Sequence, residues 1–361
     1  MNEITHLKGV TSRFITTERI RMHLLIAGEV ASPPVLFLHG NTCSSTVWEP
    51  LMKALSDKYY CIAPDLRGFG QTEDQIIDAT KGIEDWVEDL ASLVNALELS
   101  HYHLVGHSLG GFVCWGMIDR MANFIDTVTL ISPGPPMGFG GIHEATGIAN
   151  NKDYSGSGGG IVVDEFVERL RAGDRSTEDP LFSPRNTMNR LFWKEGFRAE
   201  REDEILSAML QIHTGEMKYP GDYRKSDYWP GVAPGKYGPV NALSPKYNTN
   251  LLQQFVEASP KPPLLWIHGK DDKIISDQSY SDPGYQGKLK LRKGWPGSDS
   301  YPPQPMIAQI KYALQQYLGQ GGKVDKKFID DCGHTPFIEK QGEVLDTMVG
   351  YFESKNNDLR N

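Results

Sequence analysis

Along the first third of the chain, short apolar runs alternate with longer amphipathic stripes. Phe14 to Ile26 mixes apolar and charged residues in loose alternation, which predicts two antiparallel edge strands joined near Glu18 and Arg19. Pro34 to Gly40 is continuously apolar up to His39, the pattern of a strand covered on both faces of a sheet. Ser44 to Leu55 then places Trp48, Leu51, Met52 and Leu55 on one helical face, with Ser44 or Ser45 as N-cap. Tyr59 to Pro64 predicts another buried strand. Ile83 to Leu97 predicts a helix that sets Trp86, Leu90, Leu93, Val94 and Leu97 against Glu84, Asp85, Glu88 and Asp89. Tyr102 to Val105 and Thr127 to Ser132 read as strands, and the apolar segment from Phe112 to Met121 between them reads as a helix. This alternation predicts βαβ units and a parallel sheet.

The rhythm breaks after residue 133. Residues 134–250 hold charged helical segments (Val163 to Arg171, Arg198 to Gln211), a glycine-rich loop at 155–160, and a stretch rich in Pro, Gly, Tyr and Trp from Tyr219 to Tyr247. They predict a largely helical cap inserted after the sixth strand of a core made of residues 1–133 and 251–361. The core resumes with a helix over Asn250 to Ala258 and a strand over Pro263 to His268. An irregular insertion at 278–305 follows, then a helix (Met306 to Leu318), a strand (Val324 to Ile329), and a last helix (Glu343 to Phe352) before a polar tail. The glycine loop has no strand before it and no Lys-Ser/Thr after it, so a mobile loop is expected there rather than a phosphate cradle.

Composition narrows the partners. The 361 residues carry a net charge of −9, which argues against nucleic acid or an anionic membrane surface. No apolar run approaches the ~20 residues that span a bilayer. The N-terminus lacks a basic region followed by an apolar one, and Cys43, Cys61, Cys114 and Cys332 are far apart with no CxxC pair. The expectation is a reduced, cytoplasmic protein without a structural metal, acting on a small molecule. Nothing in the pattern speaks to oligomeric state.

The candidate chemistry lies at Gly106-His107-Ser108-Leu109-Gly110, a G-x-S-x-G sequence between a predicted strand and a predicted helix. That context exposes a serine hydroxyl at the carboxyl edge of a parallel sheet. Glycines two positions to either side are needed because a Cβ there would strike the strand or the helix. A serine nucleophile needs a base, and the base an orienting acid. His334 follows the last predicted strand, and Asp271 and Asp272 follow the one before it.

In these features the chain resembles the α/β-hydrolases. The residues that carry the resemblance are Leu38 to Asn41, Asp65 to Gly70, Gly106 to Gly111, Gly269 to Asp272 and Gly333 to Phe337. It implies a mostly parallel eight-stranded sheet flanked by helices, and a triad of Ser108, His334 and Asp272, with Asp271 in reserve. It further implies an oxyanion hole formed by the backbone amides of Leu109 and Asn41, and no metal or organic cofactor. The His-Gly-Asn phrase is also similar to that of haloalkane dehalogenases, but those enzymes and the epoxide hydrolases carry aspartate at the elbow, where this chain has Ser108. The expected activity is hydrolysis of a carboxylic ester or lactone of a bulky apolar compound. A carbon–carbon bond hydrolase and a hydrolase-fold receptor with little turnover remain open alternatives. Arg67 and its flanking glycines read as a structural turn. In the cap, Phe192, Trp193, Tyr228 and Trp229 could form its own small core or line a pocket, and Trp193 and Trp229 are taken as candidate wall residues.

Overall fold

The computed structural model describes residues 4–360, and their side chains through residue 355. Eight strands form one sheet: β1 (Val10–Thr16), β2 (Arg21–Ala27), β3 (Pro34–Leu38), β4 (Tyr60–Pro64), β5 (Tyr102–His107), β6 (Ile125–Ile131), β7 (Leu264–Gly269) and β8 (Val324–Ile329). Their order is β1-β2-β4-β3-β5-β6-β7-β8, and only β2 runs against its neighbours. From β3 the chain moves outward to β4, then jumps back across β3 to β5. The loops leaving β3 and β5 therefore part at one edge and open a crevice between them, the usual position of a site in a doubly wound sheet.

The continuous apolar runs have their expected cause. Strands β4, β5 and β7 are buried along their whole length because helices cover both faces. Helix α1 (Glu49–Leu55) follows a 3₁₀ turn capped by the Ser44 hydroxyl, which accepts from the Thr46 amide. Helix α2 (Glu84–Ala96) buries Trp86, Leu90, Leu93 and Val94. Helix α3 (Leu109–Met121) is apolar almost all round because it lies between the sheet and α2. Its Trp115 is fully buried and donates to the Gly134 carbonyl at 2.8 Å.

Between β6 and the core's return lie α4 (Asp164–Ala172), α5 (Pro184–Leu191) and α6 (Glu202–Met209). Helix α5 was not expected from the apolar spacing. Its start is set locally by Ser183 as N-cap and Pro184 at the first helical position. Helix α6 is shorter than the expected Arg198 to Gln211. Two short antiparallel hairpins, Ile142–His143 with Ile148–Ala149 and Tyr223–Lys225 with Val232–Pro234, make the insertion less purely helical than predicted.

The glycine loop is also corrected, for it is packed. Ser155 and Ser157 are fully buried, the Gly156 amide donates to the Val232 carbonyl, and the Gly159 amide donates to Asn241 Oδ1. Tyr301 seals it by donating to the Ser155 carbonyl at 2.9 Å. Its glycines serve close approach, since a Cβ on Gly156 would run into the Tyr301 hydroxyl.

The core closes with α7 (Leu251–Glu257), α8 (Met306–Gly319) and α9 (Gln341–Arg360). Helix α9 continues through the stretch expected to be a tail.

Arg67 is a structural residue, as its position suggested. Its Nε and Nη2 each donate at 2.7 Å to the Asp89 carboxylate of α2, and Nη1 donates to the Ile76 carbonyl. Arg19 joins the same carboxylate at 2.9 Å. The pair fixes the turn after β4 against α2, helped by Trp86 Nε1 donating to the Arg67 carbonyl. Removing Asp89 would strand a buried guanidinium, so Asp89→Ala is expected to lower unfolding free energy by about 3–5 kcal/mol. Urea denaturation checks this, and a loss under ~1 kcal/mol would show that Arg67 finds other acceptors.

Candidate active site

Ser108 sits between β5 and α3 with φ 54° and ψ −113°, a conformation that side chains rarely adopt. The surroundings hold it there. The Ser108 amide donates to the Ile131 carbonyl, and the Ser108 carbonyl accepts from both Phe112 and Gly134. A Cβ on Gly106 would strike Cys114 Sγ and the Gly110 backbone, and one on Gly110 would strike the Leu38 carbonyl. The flanking glycines thus have the steric role their spacing suggested.

His334 and Asp272 come together from the loops after β8 and β7. His334 Nδ1 and Asp272 Oδ2 are 2.8 Å apart, and both residues are buried. Asp272 Oδ1 accepts from the amides of Ile274 (2.7 Å) and Ile275 (2.9 Å). Burial pushes the Asp272 carboxyl upward, but the adjacent His334 and His268 and the Ile274 amide outweigh it and hold the group below its ordinary value. A carboxylate fixed in this way favours the proton on Nδ1, leaving Nε2 as the free acceptor of the ring. Asp271 is exposed, and only its amide is engaged, by the Cys332 carbonyl. The structure therefore separates two neighbouring aspartates that the sequence left side by side.

Two other histidines beside the site hold backbone rather than a reacting group. His107 Nε2 donates to the His334 carbonyl at 2.9 Å, so the elbow residue supports the loop that carries His334. Burial, then the nearby His334, drives the His107 pKa well down. His39 Nδ1 donates to the Gly40 carbonyl and its Nε2 accepts from the Leu66 amide, which fixes the turn before Asn41. Among the described residues, neither the Asn41 nor the Leu109 amide donates to a protein acceptor. Leu109 begins α3, where the helix end favours negative charge.

A cavity of about 760 Å³ opens over these groups. Ser108, His334, Asn41 and Leu109 line it, together with apolar side chains that include Phe112, Phe139, Phe166 and Phe192. All four cysteines are buried free thiols; Cys43 lies at the cavity wall, and burial pushes its thiol up to about 12. No group of three or more His, Cys, Asp or Glu among the described residues is placed to hold a metal, and no helix among them is long and apolar enough to cross a membrane.

Residues 33–285 match the family model of the alpha/beta hydrolase fold. The chain belongs to that family. The match spans the insertion after β6 and ends within the segment at 278–305. Among curated relatives, epoxide hydrolase 2 of Caenorhabditis elegans is 28% identical over 153 residues, 41% of this chain and 42% of the relative. The 2-(acetamidomethylene)succinate hydrolase of Mesorhizobium japonicum is 39% identical over 99 residues, 27% of this chain and 34% of the relative. The aligned stretches thus span less than half of either relative. Among solved structures, E-2-(acetamidomethylene)succinate hydrolase superposes with a TM-score of 0.57 at 19% identity, covering 95% of this chain and 99% of the other. Naproxen esterase from Bacillus subtilis gives 0.56 at 16% identity, covering 95% and 91%. At such identities the likeness is one of fold.

Within this alpha/beta hydrolase fold, the expected wall tryptophans are displaced. Trp193 is fully buried with its Nε1 bonded to Asn189, and it packs on Phe192, Phe197 and the Gly333 backbone. Trp229 lies edge-on to Tyr301 and donates to the Lys293 carbonyl. Neither lines the cavity. Phe192 does, and so does Tyr219, which no motif had singled out; its phenol lies beside the Asn41 carboxamide. The insertion is also fastened to the His334 loop. Thr335 Oγ1 donates to the Phe192 carbonyl at 2.8 Å, the Lys194 amide donates to Glu339 at 2.8 Å, and Lys194 pairs with Asp331.

The Asp272 environment makes a pH prediction. Its folded pKa lies below the unfolded value of about 3.9. Its charge therefore contributes stability that is fully present above that value and is lost as pH falls through the folded one. Urea unfolding should show wild type more stable than Asp272→Asn at about pH 6, with the gap narrowing below about pH 4. A gap that stays constant down to about pH 3 would contradict a carboxylate held in its charged form.

Proposed function

We propose that the protein is a serine hydrolase that cleaves a carboxylic ester or lactone of a bulky, largely apolar small molecule through an acyl-enzyme. The observation that carries this reading is the buried His334–Asp272 pair, with His334 and the strained Ser108 in the wall of one apolar cavity. Ser108 Oγ attacks the carbonyl carbon and passes its proton to His334 Nε2. Asp272 holds the ring orientation and stabilises the imidazolium that forms. The Asn41 and Leu109 amides take the developing oxyanion. His334 returns the proton to the leaving alkoxide, which departs as the alcohol. His334 then deprotonates a water that attacks the acyl carbon, and it returns that proton to Ser108 Oγ as the acyl–oxygen bond breaks and the acid leaves. The protein's own side chains suffice for these steps. A serine at the elbow argues against the aspartate-nucleophile chemistry of epoxide opening, despite the epoxide hydrolase among the relatives.

A serine-directed fluorophosphonate is expected to add covalently at Ser108, read by mass spectrometry of the labelled peptide. Ser108→Ala should lose about six decades of kcat on a p-nitrophenyl ester, the magnitude known for serine proteases. Labelling elsewhere, or near-normal turnover in the variant, removes the assignment.

The two aspartates give a second test. Asp272→Asn is expected to cost on the order of 10⁴ in kcat, because the amide favours the wrong imidazole tautomer. Asp271→Asn, exposed and off the ring, should remain within a few fold. The opposite ranking transfers the role to Asp271.

A further inference from the structure

The cavity changes character toward its open rim. Its walls are apolar, yet the charged side chains that line it are three cations, Arg190, Arg292 and Lys293, against one acid, Asp164. That balance opposes the chain's own net charge of −9. Among the described residues, none of the three cations is ion-paired. Arg190 Nη2 donates to the Leu181 carbonyl at 2.9 Å instead. Arg292 donates from Nε to Gln286 Oε1 at 3.1 Å and from Nη2 to the Ile161 carbonyl at 2.9 Å. Each guanidinium is thus positioned by neutral acceptors while N–H donors remain unused, for arginine carries five.

Arg292 is half-buried, and burial draws its guanidinium below the ordinary arginine value. A partly desolvated cation without a counter-ion is unfavourable unless something supplies one. The acid whose charge reaches it through the protein, Asp282, is already engaged by the Tyr285 and Gln304 amides. Arg292 and Lys293 both lie in the irregular segment at 278–305. Cations above low-dielectric walls concentrate field into the cavity.

We propose that the substrate carries an anionic group, a carboxylate in the simplest case, at the end that reaches the rim, and that Arg292, with Lys293 and Arg190, supplies the counter-charge that selects it. This rests on the reading of Ser108 as the hydrolytic site, with which it shares the cavity. Ser108 is buried at the floor, whereas Arg190 and Lys293 are exposed. The selected molecule is therefore amphipathic, with an apolar body along the wall and its charge at the opening.

Mono-p-nitrophenyl esters of dicarboxylic acids of increasing length, each compared with its own methyl ester, test the selection. At the best length kcat/KM should favour the free carboxylate by at least about tenfold, the size expected for a hydrogen bond to a charged group. The preference should fall as salt is raised. Arg292→Gln with Lys293→Gln should bring the ratio close to one, and Arg292→Lys should keep part of it, which separates lost charge from lost packing. A ratio near one in the wild type overturns the proposal, as does a preference that survives removal of all three cations.

A binding arm tells this failure apart from failure of the hydrolytic reading. In the Ser108→Ala protein, titration calorimetry should show octanoate binding more tightly than 1-octanol. The Arg292→Gln, Lys293→Gln background should cost octanoate about tenfold in Kd, whether or not any ester is turned over. Equal octanoate affinity in the two backgrounds overturns the anion site by itself.

Discussion

The backbone of Ser108 is the constraint on which the site depends. A non-glycine residue at positive φ costs on the order of 1–3 kcal/mol and persists only where the surroundings leave no alternative. Those surroundings are the parallel register itself. The Ser108 amide is tied to the end of β6, and its carbonyl accepts both from within α3 and from Gly134 after β6. The glycines at 106 and 110 let β5, α3 and the end of β3 close to distances that no Cβ permits. The same closeness brings the Asn41 loop alongside the start of α3. The sheet therefore does more than carry the serine, since its strand order brings the loop after β3 beside the start of α3.

Two aspartates with identical side chains take different parts because of one residue's offset from the strand. Asp272 turns inward, gains two backbone amides and His334, and stays charged in a buried setting. Asp271 turns outward. Position along the loop, rather than residue type, decides which carboxylate can orient a base.

How much of this was legible follows from what each residue has to satisfy. The core strands were readable because burial on both faces demands an unbroken apolar run, and few other structures do. Ser108 was readable because its glycines are a steric requirement written into the chain. The insertion was not readable in the same way. A tryptophan in a Pro/Gly-rich stretch packs equally well into a small core or along a cavity wall; Trp193 took the first course, and Trp229 lies half-buried against Tyr301, off the cavity. The glycines at 155–160 looked like freedom and proved to be close packing beneath Tyr301. Helix α5 left no long apolar stripe, only a Ser-Pro start. Tyr219 and the cations of the late insertion reach the cavity through tertiary contacts between segments distant in sequence, for which no local period exists.

The fastening of the insertion to the His334 loop bears on how the base is held. Phe192 and Lys194 are bound to Thr335, Glu339 and Asp331, which lie one and five positions after His334 and three before it. Moving that part of the insertion would strain the loop that carries the imidazole, so the insertion and the base are mechanically linked. This part of the insertion thus acts as a beam across the loop that keeps His334 against Asp272.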